Sequence, residues 1–238
     1  MTISFPLRVK IFADGADLAT ISTLAADPTI SGFTTNPTLM RQAGVDNYEA
    51  FARSVLEIIG DRPVSFEVFS DEIPEMGEQA RVIATWGTNV FVKVPVTTTS
   101  GESCAGLVHA LASDGVHVNV TAVFTEQQID DILEQLCPGV PANVSVFAGR
   151  IADAGTDPID RIGYAVAAAG TCDATEIIWA SPREVLNIIQ ADIAGCQIIT
   201  VTPELLKKMS GLGKDLTQFS LETVQMFRRD ALAAGYRL

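Results

Sequence analysis

Basic residues are scarce in this 238-residue chain. Sixteen lysines and arginines stand against 29 acidic residues, a formal net charge of −13. That balance excludes nucleic acid as a partner, because binding a phosphate backbone needs a basic surface. Histidine occurs only as His109 and His117, with no metal-ligand spacing, so neither a metal nor any other cofactor is expected. The four cysteines are too few for a disulfide scaffold and none forms a C-x-x-C pair. A reducing, cytoplasmic compartment is the resulting expectation. No run approaches the roughly 18 apolar residues of a membrane helix. The opening MTISFPLRVKIFADG reads as no secretory leader, since Arg8 and Lys10 break its apolar stretch. The triplets Asn119-Val-Thr121 and Asn143-Val-Ser145 match a glycosylation pattern only by accident on this reading. A glycine-rich dinucleotide turn is also missing, because the first strand runs into Ala13-Asp14-Gly15-Ala16-Asp17. Ser210-Gly-Leu-Gly-Lys214 lacks phosphate-loop spacing and reads as a turn.

What the chain does have is alternation. Its hydrophobic fraction, 47%, suffices for a large core. Eight short runs rich in Val, Ile and Phe recur: 8–15, 30–36, 64–69, 89–96, 117–124, 142–149, 176–181 and 196–203. Segments with helical spacing fill most of the intervals. Asp46 and Gly60 bracket one as caps, Thr125 opens another, Pro158 starts a third, and Pro182 stands at the first position of a fourth. Eight β–α units without a Pro/Ser/Gly-rich linker predict an α/β fold, a single (β/α)8 barrel over 1–238. An open doubly wound sheet is the alternative. An amphipathic helix is expected at about 220–235, packed on the barrel or on a neighbouring subunit.

In such a barrel the active site lies at the C-terminal strand ends. Polar residues there are informative, since burying them without partners is costly. Lys93 is one of only five lysines and is bracketed by Phe91, Val92, Val94 and Pro95. An amine in apolar surroundings loses stabilisation of its charged form, and a neutral amine can attack a ketone to give a Schiff base. The alternative is a lysine that pairs with Glu67 or Asp14, or snorkels out. Asp14 and Glu67 are candidates for proton transfer, although Asp14 also suits a helix cap. Thr34, Thr35 and Asn36 close the second strand, Asn119 and Thr121 share one face of the fifth, and Ser145 lies in the sixth. Arg150 and Arg183 follow the sixth and seventh strands. With Ser181, and with helix N–H groups expected near Arg183, they fit a phosphate. Arg183 paired with Asp153 or Glu184 is the plainer reading.

In order, KIFADGAD, GFTTNPTLM, SFEVF, FVKVPVT, NVTAVF, VFAGRIAD, WASPREV and AGCQIITVTP resemble the transaldolase family across nearly the whole chain. The resemblance implies a class I aldolase barrel with its Schiff-base lysine on the fourth strand, at Lys93. It implies Asp14 as the acid/base group near the cleaved C3–C4 bond, and Glu67 with Thr121 holding a relay water. Thr35 and Phe147 join the implied substrate site. Asn36, Asn119 and Ser145 would bind dihydroxyacetone hydroxyls; Arg150, Arg183 and Ser181 would grip the phosphate. Glu67 and Phe147 match the transaldolase branch; its fructose-6-phosphate aldolase relatives carry glutamine and tyrosine there. The implied partners are sugar phosphates and copies of the chain itself, since short members tend to form decamers. Trp179 and Pro182 depart from the usual G-A-S-F-R pattern, and by period 2 Trp179 would point near the site. Three functions stay open: transfer of a dihydroxyacetone unit between sugar phosphates, fructose-6-phosphate aldolase-like cleavage that releases dihydroxyacetone or a variant acting on a modified sugar, and a catalytically silent sugar-phosphate binder.

Overall fold

Eight parallel strands close into a barrel in sequence order, each hydrogen-bonded to the next and the eighth to the first. The computed structural model describes residues 7–237, so Met1–Pro6, part of the stretch read as no leader, lie outside it. The strands are β1 (Lys10–Asp14), β2 (Ile30–Thr34), β3 (Val64–Glu67), β4 (Val90–Pro95), β5 (Val118–Val123), β6 (Ala142–Val146), β7 (Thr175–Trp179) and β8 (Ile198–Val201). The helices are α1 (Leu18–Ala25), α2 (Pro37–Gln42), α3 (Tyr48–Ile59), α4 (Ile73–Ala84), α5 (Ala105–Ser113), α6 (Glu126–Leu133), α7 (Ala148–Asp153), α8 (Ile159–Ala169), α9 (Leu186–Ile193), α10 (Pro203–Lys208) and α11 (Leu216–Ala233). The predicted barrel and its eight strands are therefore present.

Alternation along each strand decides which residues reach the site. On β4, Val90, Val92 and Val94 are buried in the layer shared with the helices, whereas Lys93 lines the cavity inside the barrel. Full burial of one such aliphatic side chain contributes about 1.5–3 kcal/mol, so the Val/Ile rows of the outer faces carry much of the stability. Inside, Phe12, Ile178 and Ile198 form a separate apolar cluster. Gly32 permits it, since a Cβ there would lie 2.6 Å from the Phe12 ring.

Several local expectations shift. Asn47, not Asp46, caps α3, its side chain accepting from the Ala50 N–H. Thr125 does cap α6, as half of a reciprocal capping box with Gln128. The Pro182 segment is not yet helical: α9 begins at Leu186, because Asn187 Oδ1 takes the Arg183 and Glu184 N–H groups at 2.7 and 3.1 Å. Those donors are therefore spent rather than free for an anion. Asn119 and Asn143 are buried in strands, which explains why the glycosylation triplets carry no meaning. The terminal helix starts earlier than expected, at Leu216, with Asp215 as its cap. Among the described residues, no helix is long and apolar enough to cross a membrane.

Candidate active site

A cavity of about 430 Å³ opens at the C-terminal ends of the strands. Its lining brings together Asp14 from β1, Glu67 from β3, Lys93 from β4, Thr121 from β5 and Ser145 from β6. Asn36, Phe147, Arg150, Ser181 and Arg183 join them from the segments that follow the strands.

Lys93 stands next to Glu67 and Asn119 in the strand registers. Its side chain is only 10% exposed. Nζ donates to the Thr35 carbonyl at 2.8 Å and to Glu67 Oε2 at 3.3 Å. An ammonium has three protons, so two are accounted for and one direction is left for the cavity. Pairing with Glu67 and exposure to the cavity thus coexist.

Asp14 caps nothing, for α1 is capped by Asp17, which accepts from the Thr20 N–H. Asp14 Oδ1 instead accepts from the Thr34 hydroxyl at 2.8 Å, and Oδ2 lies 3.4 Å from Asn36 Nδ2. Burial pushes its carboxyl above the ordinary range; the Lys93 charge, Thr34 and Asn36 pull it partly back. Asn36 is shared between two tasks, because its Oδ1 caps α2 through the Leu39 N–H at 3.0 Å.

Two further side chains that sequence reasoning missed hold this arrangement. Ser65 accepts from Asn119 Nδ2 at 2.9 Å, and Asn119 Oδ1 accepts from Ser145 at 2.7 Å, a buried polar chain crossing from β3 to β6. Tyr48 accepts from the Glu67 N–H at 2.7 Å and donates to the Glu67 carbonyl at 3.1 Å. Burial pushes the Tyr48 hydroxyl far up, so it stays a donor. Its ring packs edge-on against Phe66, Phe69 and Trp86. Ser65 was legible as the one polar residue between Val64 and Phe66, whereas Tyr48 comes from a distant helix start and left no local signal.

Three expected site residues do not line the cavity. Thr35 is fully buried and its hydroxyl donates to the Ser65 carbonyl at 2.9 Å; its carbonyl, not its side chain, touches Lys93. Asn119 lies beneath the lining in the chain just described. Trp179 is a correction: it is fully buried in the strand–helix layer, with Ile178 the inward residue.

The far end of the cavity is cationic. Arg150 is exposed and has no ion-pair partner among the described residues. Arg183 Nε lies 3.0 and 3.1 Å from the two Asp153 oxygens, and Nη2 is bonded to the same carboxylate. Ser181 takes a left-handed backbone, φ 61°, unusual for a serine. The turn brings its carbonyl against Gly149, where a Cβ would lie 1.5 Å from that oxygen, so only glycine fits. Pro182, Thr200 and Thr202 complete this wall. A buried amine, two carboxylates and a cationic end suit covalent catalysis on a carbonyl compound that carries an anionic group.

Known proteins agree in kind. A profile of the family described as Transaldolase/Fructose-6-phosphate aldolase matches residues 11–236. A protein of Thermoanaerobacter sp. (strain X514) named "Probable transaldolase" is 33% identical over 232 residues, 97% of this chain and 100% of its own length. Another of that name, from Dehalococcoides mccartyi, is 34% identical over 84% of this chain and 90% of its own. Among solved structures, a HpcH/Hpal aldolase/citrate lyase family protein from Burkholderia cenocepacia J2315 superposes with TM-score 0.59 at 15% identity, over 92% of this chain and 95% of that one. This last is a likeness of fold alone. With the match spanning the barrel and the site it encloses, the chain belongs to the transaldolase/fructose-6-phosphate aldolase family of enzymes.

Proposed function

We propose that the chain transfers a dihydroxyacetone unit from a ketose phosphate, of the sedoheptulose 7-phosphate or fructose 6-phosphate type, to an aldose phosphate. The observation that carries this reading is Lys93 Nζ, a buried amine opening onto a cavity that also holds Asp14, Glu67, Arg150 and Arg183. The neutral amine adds to the ketone carbon, and loss of water gives an iminium. The Asp14 carboxylate takes the proton of the C4 hydroxyl as the C3–C4 bond breaks. That electron pair moves into the iminium, leaving an enamine on Lys93 and releasing an aldose phosphate. The enamine then attacks an acceptor aldehyde, Asp14 returns its proton to the new alkoxide, and water releases the product from Lys93. Glu67 on β3 and Thr121 on β5, the strands that flank Lys93 on β4, suit a water that relays protons to and from the nitrogen. Arg150, without an ion-pair partner among the described residues, suits the substrate phosphate, with Arg183 sharing its charge with Asp153.

The test is imine trapping with fructose 6-phosphate and borohydride, followed by peptide mass mapping. A dihydroxyacetone-sized adduct on Lys93 is expected. An adduct on another lysine, or none with any of several ketose phosphates, refutes the assignment. Release of glyceraldehyde 3-phosphate without an acceptor, as fast as transfer with one, makes the protein an aldolase rather than a transferase.

A homo-oligomer, as large as a decamer, belongs to the same proposal. Helix α11 has no buried residue, and Phe219, Val224, Phe227 and Leu232 are half or more exposed. An apolar set of this size on a soluble surface favours association. Phe219→Glu with Phe227→Glu is expected to lower the sedimenting mass while leaving the barrel folded. An unchanged mass in analytical ultracentrifugation rules out this helix as the contact.

A further inference from the structure

Thr200 is a polar side chain in the barrel that the chemistry above does not use. It projects inward from β8 beside Thr34 of β2, and the strand between them, β1, carries Asp14. Both threonines are nearly buried, at 4% exposure for Thr34 and 7% for Thr200. Their hydroxyl oxygens lie 2.5 Å apart, and Thr34 Oγ1 is also 2.8 Å from Asp14 Oδ1. The apolar cluster adjoins them: Phe12 pairs in register with both Gly32 and Thr200, Ile198 lies two residues before Thr200 on β8, and among the described residues the side-chain hydrogen bonds of the two threonines are those to each other and to Asp14.

Each hydroxyl has one proton to give. When Asp14 is a carboxylate, Oδ1 can only accept, so the Thr34 proton points at it. The contact between the threonines is then donated by Thr200, and the chain runs Thr200 to Thr34 to Asp14 with every donor satisfied. A proton on Oδ1 reverses the chain. Thr34 would then accept from Asp14 and turn its own proton toward Thr200, whose proton would lose its protein acceptor among the described residues and be left to the cavity that Thr200 lines. Giving up a protein acceptor at a nearly buried hydroxyl is costly, and hydrogen bonds in such a chain polarise one another.

We propose that Thr200 is a positioning residue for Asp14: its hydroxyl sets the direction of the Thr34 hydroxyl, keeping Oδ1 occupied and leaving Oδ2 to move the substrate proton. Among the described residues Oδ2 has only the long Asn36 contact, 3.4 Å, and is the oxygen left to act. This rests on Asp14 as the proton-transfer group. The other charged groups facing the same cavity are Glu67 of β3, Lys93 of β4, Arg150 of α7 and Arg183 after β7; β2 and β8 present only uncharged side chains there.

The test compares Thr200→Val, which keeps the shape, with Thr200→Ser, which keeps the hydroxyl. With fructose 6-phosphate as donor, the valine variant is expected to form the Lys93 adduct at the normal level. Its kcat should fall about fivefold, the scale of one hydrogen bond, at constant KM. The acid-side limb of its pH profile should move to higher pH, and serine should restore both. A valine variant with unchanged kcat and pH limb overturns the proposal. So does a loss of kcat without movement of the limb, or a serine variant that fails to restore it, since either marks a packing role. Should the valine variant not fold, Thr200→Ala makes the same comparison without asking for more room. The titration of Asp14 by carbon NMR of labelled aspartate, assigned with Asp14→Asn, reads the effect without turnover. An upward shift in Thr200→Val is expected there and an unmoved curve refutes the proposal. A missing Lys93 adduct in the unaltered protein would instead refute the functional reading, leaving the NMR result to decide on Thr200.

Discussion

Lys93→Arg abolishes the trapped adduct and lowers transfer by a factor on the order of 10⁴ or more, the scale seen when a covalent nucleophile is lost. Arginine keeps the positive charge but stays protonated, and so has no lone pair for a ketone. The fold has reason to survive, because the donors that now reach the Thr35 carbonyl and Glu67 are replaced by donors of the same charge. A neutral residue would strand Glu67 as a poorly compensated partly buried charge, and removing one member of such a pair is often strongly destabilising. Lys93→Met therefore serves as the second variant: equally inactive but less stable than Lys93→Arg. Circular dichroism and thermal melting establish folding, and single-turnover assays with borohydride trapping establish the chemistry. Activity within tenfold of the unaltered protein, or an adduct that persists elsewhere, would show that Lys93 is not the nucleophile. The four other lysines, Lys10, Lys207, Lys208 and Lys214, are internal controls, since none lines the cavity.

The barrel was legible because each strand is a short apolar run whose outer face must be oily and whose inner face has few polar interruptions. Lys93, Glu67, Thr121 and Ser145 stood out for the same reason. Trp179 was misplaced through phase, not through period. Counting back by two from Ser181 puts Trp179 in the cavity, but the left-handed backbone at Ser181 breaks the alternation, so Ala180 and Ser181 both line it while Trp179 faces the helices. A positive φ at a non-glycine residue leaves no mark in the sequence. Helices α2, α7 and α10 have six residues each, too few for a helical period to show. Asp46 and Asn47 are neighbours of equal capping ability, and only the chain's direction into α3 chooses between them. Long-range partners were the least legible. Nothing near Thr34 in sequence announces Thr200, 166 residues away, and nothing near Glu67 announces Tyr48.

Asp14→Asn is expected to slow transfer about 10²- to 10⁴-fold, the range for loss of a general acid–base group, and to make the protein more stable at neutral pH. The two effects have one cause. Burial raises the Asp14 carboxyl by more than Lys93, Thr34 and Asn36 lower it. The folded chain therefore holds this proton more tightly than the unfolded chain does. Stability from this group is present at low pH and declines as pH rises from the unfolded value of 3.8 through the raised folded value. Above that window the native protein carries the whole cost of an ionised, desolvated carboxylate, and the amide carries none. The melting temperature of Asp14→Asn should thus match the parent's near about pH 4 and exceed it near about pH 8. The opposing influence is Lys93, which loses one of its two neighbouring carboxylates and keeps Glu67 at 3.3 Å. A variant that melts lower than the parent at both pH values would mean that Asp14 is held chiefly as a structural counter-charge to Lys93. A variant that melts higher while losing turnover would mean that the site keeps a destabilising carboxylate for its proton chemistry.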